Sequence, residues 1–121
     1  MSAEPVKRLR VLIAEDETLI VCLLEDMLTQ LGHTVVGEAR KLHTALALAK
    51  TGDYDLAILD VNLNGRSSHP VAQIARERGK RVLLATGYGR PEDGAVVLQK
   101  PFGIEALSRC IHAVIEGGSS P

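Results

Sequence analysis

Short apolar runs of strand length alternate with amphipathic stretches of helix length from residue 9 to residue 116, and few folds accept that alternation. The clearest run is Leu56-Ala57-Ile58-Leu59, entered from Tyr54 and ended by Asp60. It is apolar at every position instead of every second one, the mark of a strand covered on both faces. Before it, Leu9–Ala14 and His33–Ala39 read as strands; after it, Arg81–Ala85 and Val96–Gln99 do. The stretches between them read as helices. In Thr18–Leu31, Leu19, Leu23, Leu24, Met27, Leu28 and Leu31 recur at three- and four-residue spacing, with Gly32 as the cap. Lys41–Lys50 is rich in Ala and Leu, and Pro70 suits the first turn of a helix running to Arg78. Ile104–Glu116 carries Leu107, Ile111, Val114 and Ile115 on one side. Such alternation predicts an α/β doubly wound parallel sheet with right-handed crossovers and helices on both faces. The polar stretch Asn62–Ser68 reads as a turn. Between Thr86 and Lys100 lie only 13 residues, among them Gly87, Gly89, Pro91 and Gly94. That predicts a loop with a shortened or irregular fourth helix.

A chain of 121 residues suits one domain, here residues 9 to 116, with a flexible lead-in over residues 1 to 8 and a flexible tail over 117 to 121. A net charge of -1 gives no electrostatic reason to expect nucleic acid or an anionic membrane as partner. Cys22 and Cys110 fall inside predicted helices and read as buried thiols, not as a disulfide. His33, His43, His69 and His112 lack ligand spacing and read as surface residues. No apolar leader or membrane-length segment is present in this sequence, so the cytoplasm is the expected location.

Every strand of a parallel sheet points the same way, so all carboxyl ends share one edge, where open α/β sheets bind their ligands. That edge receives Glu15 and Asp16 after the first strand, Asp60 at the third, Thr86 at the fourth and Lys100 at the fifth. Crowded carboxylates disfavour one another's charge, and a divalent cation with hard-oxygen preference, Mg²⁺, relieves that. A metal, an ammonium and a hydroxyl around a carboxylate suit phosphoryl transfer, with Asp60 as the oxygen nucleophile. Each residue also has a plainer reading. Glu15-Asp16-Glu17 suits a helix N-terminus, Thr86 a turn before Gly87, and Lys100 a solvated strand end. The plainer readings leave their joint occurrence at successive strand ends unexplained.

In this pattern the chain resembles a response-regulator receiver domain of two-component signalling, over about Leu9 to Glu116. The matching residues are Glu15-Asp16, Asp60, Thr86 and Lys100-Pro101-Phe102. The resemblance implies a flavodoxin-like (βα)5 fold with strand order 2-1-3-4-5, with Asp60 as phosphoacceptor. It implies Mg²⁺ held by Asp16 and Asp60 directly, by Glu15 through water and by the backbone carbonyl of Asn62. Thr86 would be the switch hydroxyl, Lys100 the phosphate-facing lysine, and Lys100-Pro101 a cis peptide. Two positions depart from the family. Val97 stands where an aromatic switch residue is usual, and the Thr86–Lys100 segment is shorter by roughly two helical turns. Leu84-Ala85-Thr86-Gly87-Tyr88 resembles the Phe-Ala-Thr-Gly-Tyr ("FAT GUY") subgroup of mostly single-domain receivers, which implies a switch role for Tyr88. The subgroup implies a bacterial source and, as partner, a histidine kinase of the HWE or a related class, or a phosphotransfer protein.

The leading expectation is a stand-alone phosphoryl-accepting switch, not an enzyme, that signals through protein contacts or acts as a phosphate sink. Alternatives are a receiver excised from a hybrid kinase or larger regulator, and a small aspartyl-nucleophile phosphatase. The phosphatase needs a second Asp two residues after the nucleophile, where this chain has Asn62. A nucleotide- or flavin-binding module would need a Gly-rich loop after the first strand, where Glu15-Asp16 stands.

Overall fold

The computed structural model describes residues 7–87 and 95–117. In chain order the elements are β1 (Arg10–Ala14), α1 (Thr18–Gln30), β2 (Thr34–Ala39), α2 (Leu42–Thr51), β3 (Leu56–Asp60), β4 (Asn62–Leu63), β5 (Arg66–Ser67), α3 (His69–Glu77), β6 (Arg81–Thr86), β7 (Val97–Gln99) and α4 (Ile104–Ile115). Five strands form one parallel sheet in the order β2-β1-β3-β6-β7. This is the 2-1-3-4-5 order of the flavodoxin-like receiver fold. The irregular fourth helix, Tyr88, and most of the two flexible ends predicted from the sequence lie outside the described residues.

The sheet is buried because its central strands feed both faces. Leu12 and Ala14 of β1, Ala57 and Leu59 of β3, and Val82 and Leu84 of β6 pack on the side covered by α2 and α3. The alternate residues Val11, Ile13, Leu56, Ile58, Leu83 and Ala85 pack with Leu24 and Leu28 of α1 and Leu107, Ile111 and Val114 of α4. A period of two, apolar in both phases, is what makes these runs read as continuous. Alanines 45, 49, 72 and 75 are fully covered, so α2 and α3 reach the sheet through their smallest side chains.

Helix α1 ends in a Schellman motif. Gly32 adopts φ +93°, its N–H donates to the Thr29 carbonyl at 3.0 Å, and the His33 N–H donates to that of Leu28 at 2.9 Å. At the sheet edge away from the site, the Arg10 backbone N–H and guanidinium donate to Asp55 at 2.8–3.2 Å. That guanidinium holds the Asp55 carboxyl down to about 2.

Several expectations need correction. The polar turn over Asn62–Ser68 is a two-stranded antiparallel hairpin, β4 on β5, turning at Asn64 (φ 52°) and Gly65 (φ 84°). Two successive positive φ angles are what an Asn-Gly pair accepts most readily. Asp60 is the last residue of β3, where the sequence places it. Leu19 and Leu23 are 70% and 40% exposed, because α1 turns Val21, Leu24 and Leu28 inward. Cys22, on the same outward face, is exposed and not buried. His33 is buried, not on the surface, because its Nδ1 accepts the Leu9 N–H at 3.1 Å. Among the described residues no helix is long and apolar enough to cross a membrane.

Candidate functional site

The parallel ladder sets the site by register. Glu15 leaves β1 with its N–H donated to Ala39 of β2, and Asp60 pairs with Ala85 across β3 and β6. Thr86 pairs with Gln99, and the Lys100 N–H donates to the Thr86 carbonyl at 2.9 Å. Strand-end side chains from four strands are thereby brought to one cleft without any long-range loop. Glu15, Asp60 and Thr86 are all buried there, while Asp16 is half-buried. The cleft has a volume of about 630 Å³, and Asp16, Asp60, Asn62 and Thr86 are in its lining.

Lys100 organises the charge. Its Nζ lies 2.9 Å from Glu15 Oε1 and 3.0 Å from Asp60 Oδ2, with Glu17 Oε1 farther off at 3.8 Å. Backbone donors orient the same acids. The Glu17 N–H donates to Glu15 Oε2 at 3.1 Å, the Asn62 N–H to Asp60 Oδ1 at 3.1 Å, and the Asn64 N–H to Asp16 Oδ2 at 3.2 Å. The last two come from the hairpin, whose turn is held by the Asn62 Oδ1 accepting the Gly65 N–H at 2.6 Å. The Lys100-Pro101 peptide is cis, as the sequence resemblance implies.

Glu15, Asp16 and Asp60 each offer an oxygen within 4.8 Å of the others. Three carboxylates against one ammonium leave the cleft acidic, and burial makes that costly. Desolvation, with the charge of Asp60 behind it, raises the Glu15 carboxyl to about 7 against the pull of Lys100 and the Glu17 N–H. Burial also disfavours the Lys100 ammonium, yet hydrogen bonds and charge from Glu15 and Asp60 outweigh it and raise its pKa. Convergent hard oxygens with excess negative charge are the donor set that Mg²⁺ takes, so the residues fit that ion.

Of the residues singled out from the sequence, Glu15, Asp16 and Asp60 are in mutual reach, Lys100 reaches Glu15 and Asp60, and Asn62 and Thr86 share the cleft. Val97 pairs with Leu84 inside β7, and its carbonyl accepts the Cys110 thiol at 3.6 Å; it is not part of the cleft lining. Sequence reading missed the backbone amides of Asn62 and Asn64 as donors to Asp60 and Asp16. The Asn64-Gly65 pair, a strong hairpin signal, was the clue to that geometry.

Residues 11–111 match the family described as the response regulator receiver domain. The chain is 35% identical over 126 residues to the transcriptional regulatory protein TcrA of Mycobacterium tuberculosis, covering 96% of this chain and 49% of that one. It is 36% identical over 115 residues to PdtaR of the same species, covering 88% of this chain and 56% of that one. The chain thus spans about half the length of the curated relatives it matches. Among solved structures, SdrG from Sphingomonas melonis Fr1 is similar at 37% identity and TM-score 0.80, covering 89% of this chain and 97% of that one. The response regulator PhyR from Brucella abortus is similar at 30% identity and TM-score 0.81, covering 91% of this chain and 49% of that one.

Proposed function

The chain belongs to the response regulator receiver family, and from that premise we propose that it is a phosphoryl-accepting switch with Asp60 as the acceptor. The observation that carries this is the Lys100 ammonium, held at 3.0 Å from Asp60 Oδ2 beside a nest of three carboxylates. In the reaction an Asp60 oxygen attacks the phosphorus of a phosphohistidine, the N–P bond breaks, and the imidazole leaves with the electron pair. Lys100 neutralises charge on the incoming phosphoryl oxygens, and the Thr86 hydroxyl donates to one of them. The Asn62 N–H holds the Asp60 carboxylate in line for the attack.

Receiver domains bind Mg²⁺ at an acidic pocket. In this chain Asp16, Asp60 and the Asn62 carbonyl would hold the ion directly and Glu15 through water, and it would supply further charge neutralisation to the phosphoryl group. The donor is a histidine kinase, of the HWE or a related class, or a phosphotransfer protein, and the exchange runs in the cytoplasm. Leu84-Ala85-Thr86-Gly87 supports membership of the FAT GUY subgroup. In that reading Tyr88 takes the switch role that Val97 lacks, and a Tyr88→Ala variant with an unchanged aspartyl-phosphate lifetime would count against it.

The match to SdrG over 97% of that chain supports the reading of a stand-alone receiver. Its output would then pass by protein contact, or it would act as a phosphate sink. TcrA and PdtaR, about twice as long, support the alternative of a receiver within a larger regulator. Hydrolytic turnover is disfavoured because Asn62, an amide with no titratable proton, stands in the place of a general acid. Incubation with acetyl phosphate and Mg²⁺, followed by intact mass, tests the whole reading. Wild type is expected to gain one phosphoryl group in a metal-dependent way and Asp60→Ala none. No gain in wild type with acetyl phosphate or a phosphorylated kinase would overturn it.

A further inference from the structure

A second cavity, of about 450 Å³, opens between the start of α2 and the β4–β5 hairpin. Leu63 is fully buried beneath it, and Leu42 and Leu46 pack half-buried against the same core. Lys41 and Arg66 stand exposed in its lining. Among the described residues neither cation lies within ion-pair distance of a carboxylate. An apolar floor between two unpaired cations is complementary to an acidic segment that carries an apolar side chain, and it disfavours a basic one. The volume falls within the range of about 300–1,000 Å³ that ligand pockets occupy, but the rim is open and the cations are solvated. A small free anion would keep much of its surface in water there. A peptide, anchored also outside the cavity, would not depend on its walls alone.

We propose that this cavity docks an acidic, amphipathic segment of a protein partner. One apolar side chain seats over Leu42, Leu46 and Leu63, and flanking carboxylates face Lys41 and Arg66. The hairpin is then a wall shared by two sites. Leu63, Asn64 and Arg66 line the docking cavity, while Asn62 and Gly65 line the acidic cleft. The Asn62 and Asn64 amides bind Asp60 and Asp16 at 3.1 and 3.2 Å, so a shift of the hairpin on either side alters the other. Coupling of this kind is reciprocal: a peptide that binds more tightly with the cleft loaded also favours the loaded cleft. The coupling rests on the phosphoacceptor reading of Asp60; the docking does not.

The test is panning of a phage-displayed library of random dodecapeptides on metal-free wild type, with Lys41→Glu/Arg66→Glu as the counter-target. Both changed side chains are exposed, so the double variant is expected to keep the wild-type fold, checked by its circular dichroism. Enriched peptides are expected to carry Asp or Glu beside Leu, Ile or Phe. A synthetic copy should bind wild type about tenfold more tightly than the double variant and shift the backbone amides of Leu42, Leu46 and Leu63. Several outcomes would overturn the proposal: no enrichment, neutral or basic peptides, equal binding to the variant, or amide shifts that leave Leu42, Leu46 and Leu63 unmoved. So would retention of phosphatidylglycerol vesicles or of a single-stranded oligonucleotide through Lys41 and Arg66 in place of a peptide, which would assign the cavity to another polyanion. Because no metal or phosphoryl donor is present, failure here leaves the Asp60 reading standing, and failure of phosphorylation leaves the docking standing.

Discussion

Glu15 is the residue at which burial and charge meet most sharply. Its position after β1 was legible in the sequence, but its depth was not, because depth depends on β2 and Lys100 closing over it. Its carboxyl is raised to about 7, chiefly by desolvation, from the 4.5 of an unfolded glutamate. Between those values the folded chain holds a proton that the unfolded chain has lost. Stability is therefore highest below about pH 4.5 on this account and falls as pH rises through about 7. A divalent cation takes the carboxylate form, so the same deprotonation that weakens the metal-free fold strengthens metal binding. Titration calorimetry is expected to find tighter Mg²⁺ binding at about pH 8 than at about pH 6 in wild type, and a smaller difference in Glu15→Gln. An equal difference in both would assign the proton to another group.

At the scale of elements, the sequence pattern placed the strands and helices well and the helix faces less well. In α1, Leu19 and Leu23 satisfy the same spacing rule as Leu24 and Leu28, and spacing alone cannot say which stripe the sheet covers. The structure covers Val21, Leu24 and Leu28. Leu24→Ala is accordingly expected to cost about 2–5 kcal/mol, and Leu19→Ala about 0.5 kcal/mol or less, read from urea midpoints. The corner between α1 and β2 hides a second dependence. His33 accepts the Leu9 N–H through Nδ1, and burial, followed by the charge of His112, pushes its pKa down. A lowered pKa means that His33 contributes stability above the ordinary histidine value of 6.5, and the contribution is lost as pH falls. This slope is opposite to that of Glu15 over part of the same range, so the wild-type profile conceals both. Comparing urea midpoints at about pH 5 and pH 8, His33→Gln is expected to lose less stability on acidification than wild type does. Equal losses would rule His33 out.

The whole molecule is organised by its three central strands, which serve two cores at once. β1, β3 and β6 put alternate side chains into the layer under α2 and α3 and the layer under α1 and α4. The same three strands thereby anchor both layers. The acidic cleft sits where these strands end, and its buried charge is placed on strands buried on both faces. The parts that complete the cleft are weaker. The hairpin is two residues against two, and β7 is a three-residue edge strand. Exchange protection follows buried contacts and ladder position, so amide hydrogen exchange is expected to be slowest at Ile58 and Leu59 of β3 and at Leu83 of β6. Asn64, Gly65 and the amides of β7 should exchange orders of magnitude sooner. Magnesium is expected to slow exchange at Asn64 in particular, because that N–H binds Asp16 and a bound cation would fix its acceptor. Slowing spread evenly over the sheet would mean that the cation stabilises the fold as a whole and leaves the hairpin as free as before. Slowing confined to residues 62–66 would make the hairpin the element that reports what the cleft holds.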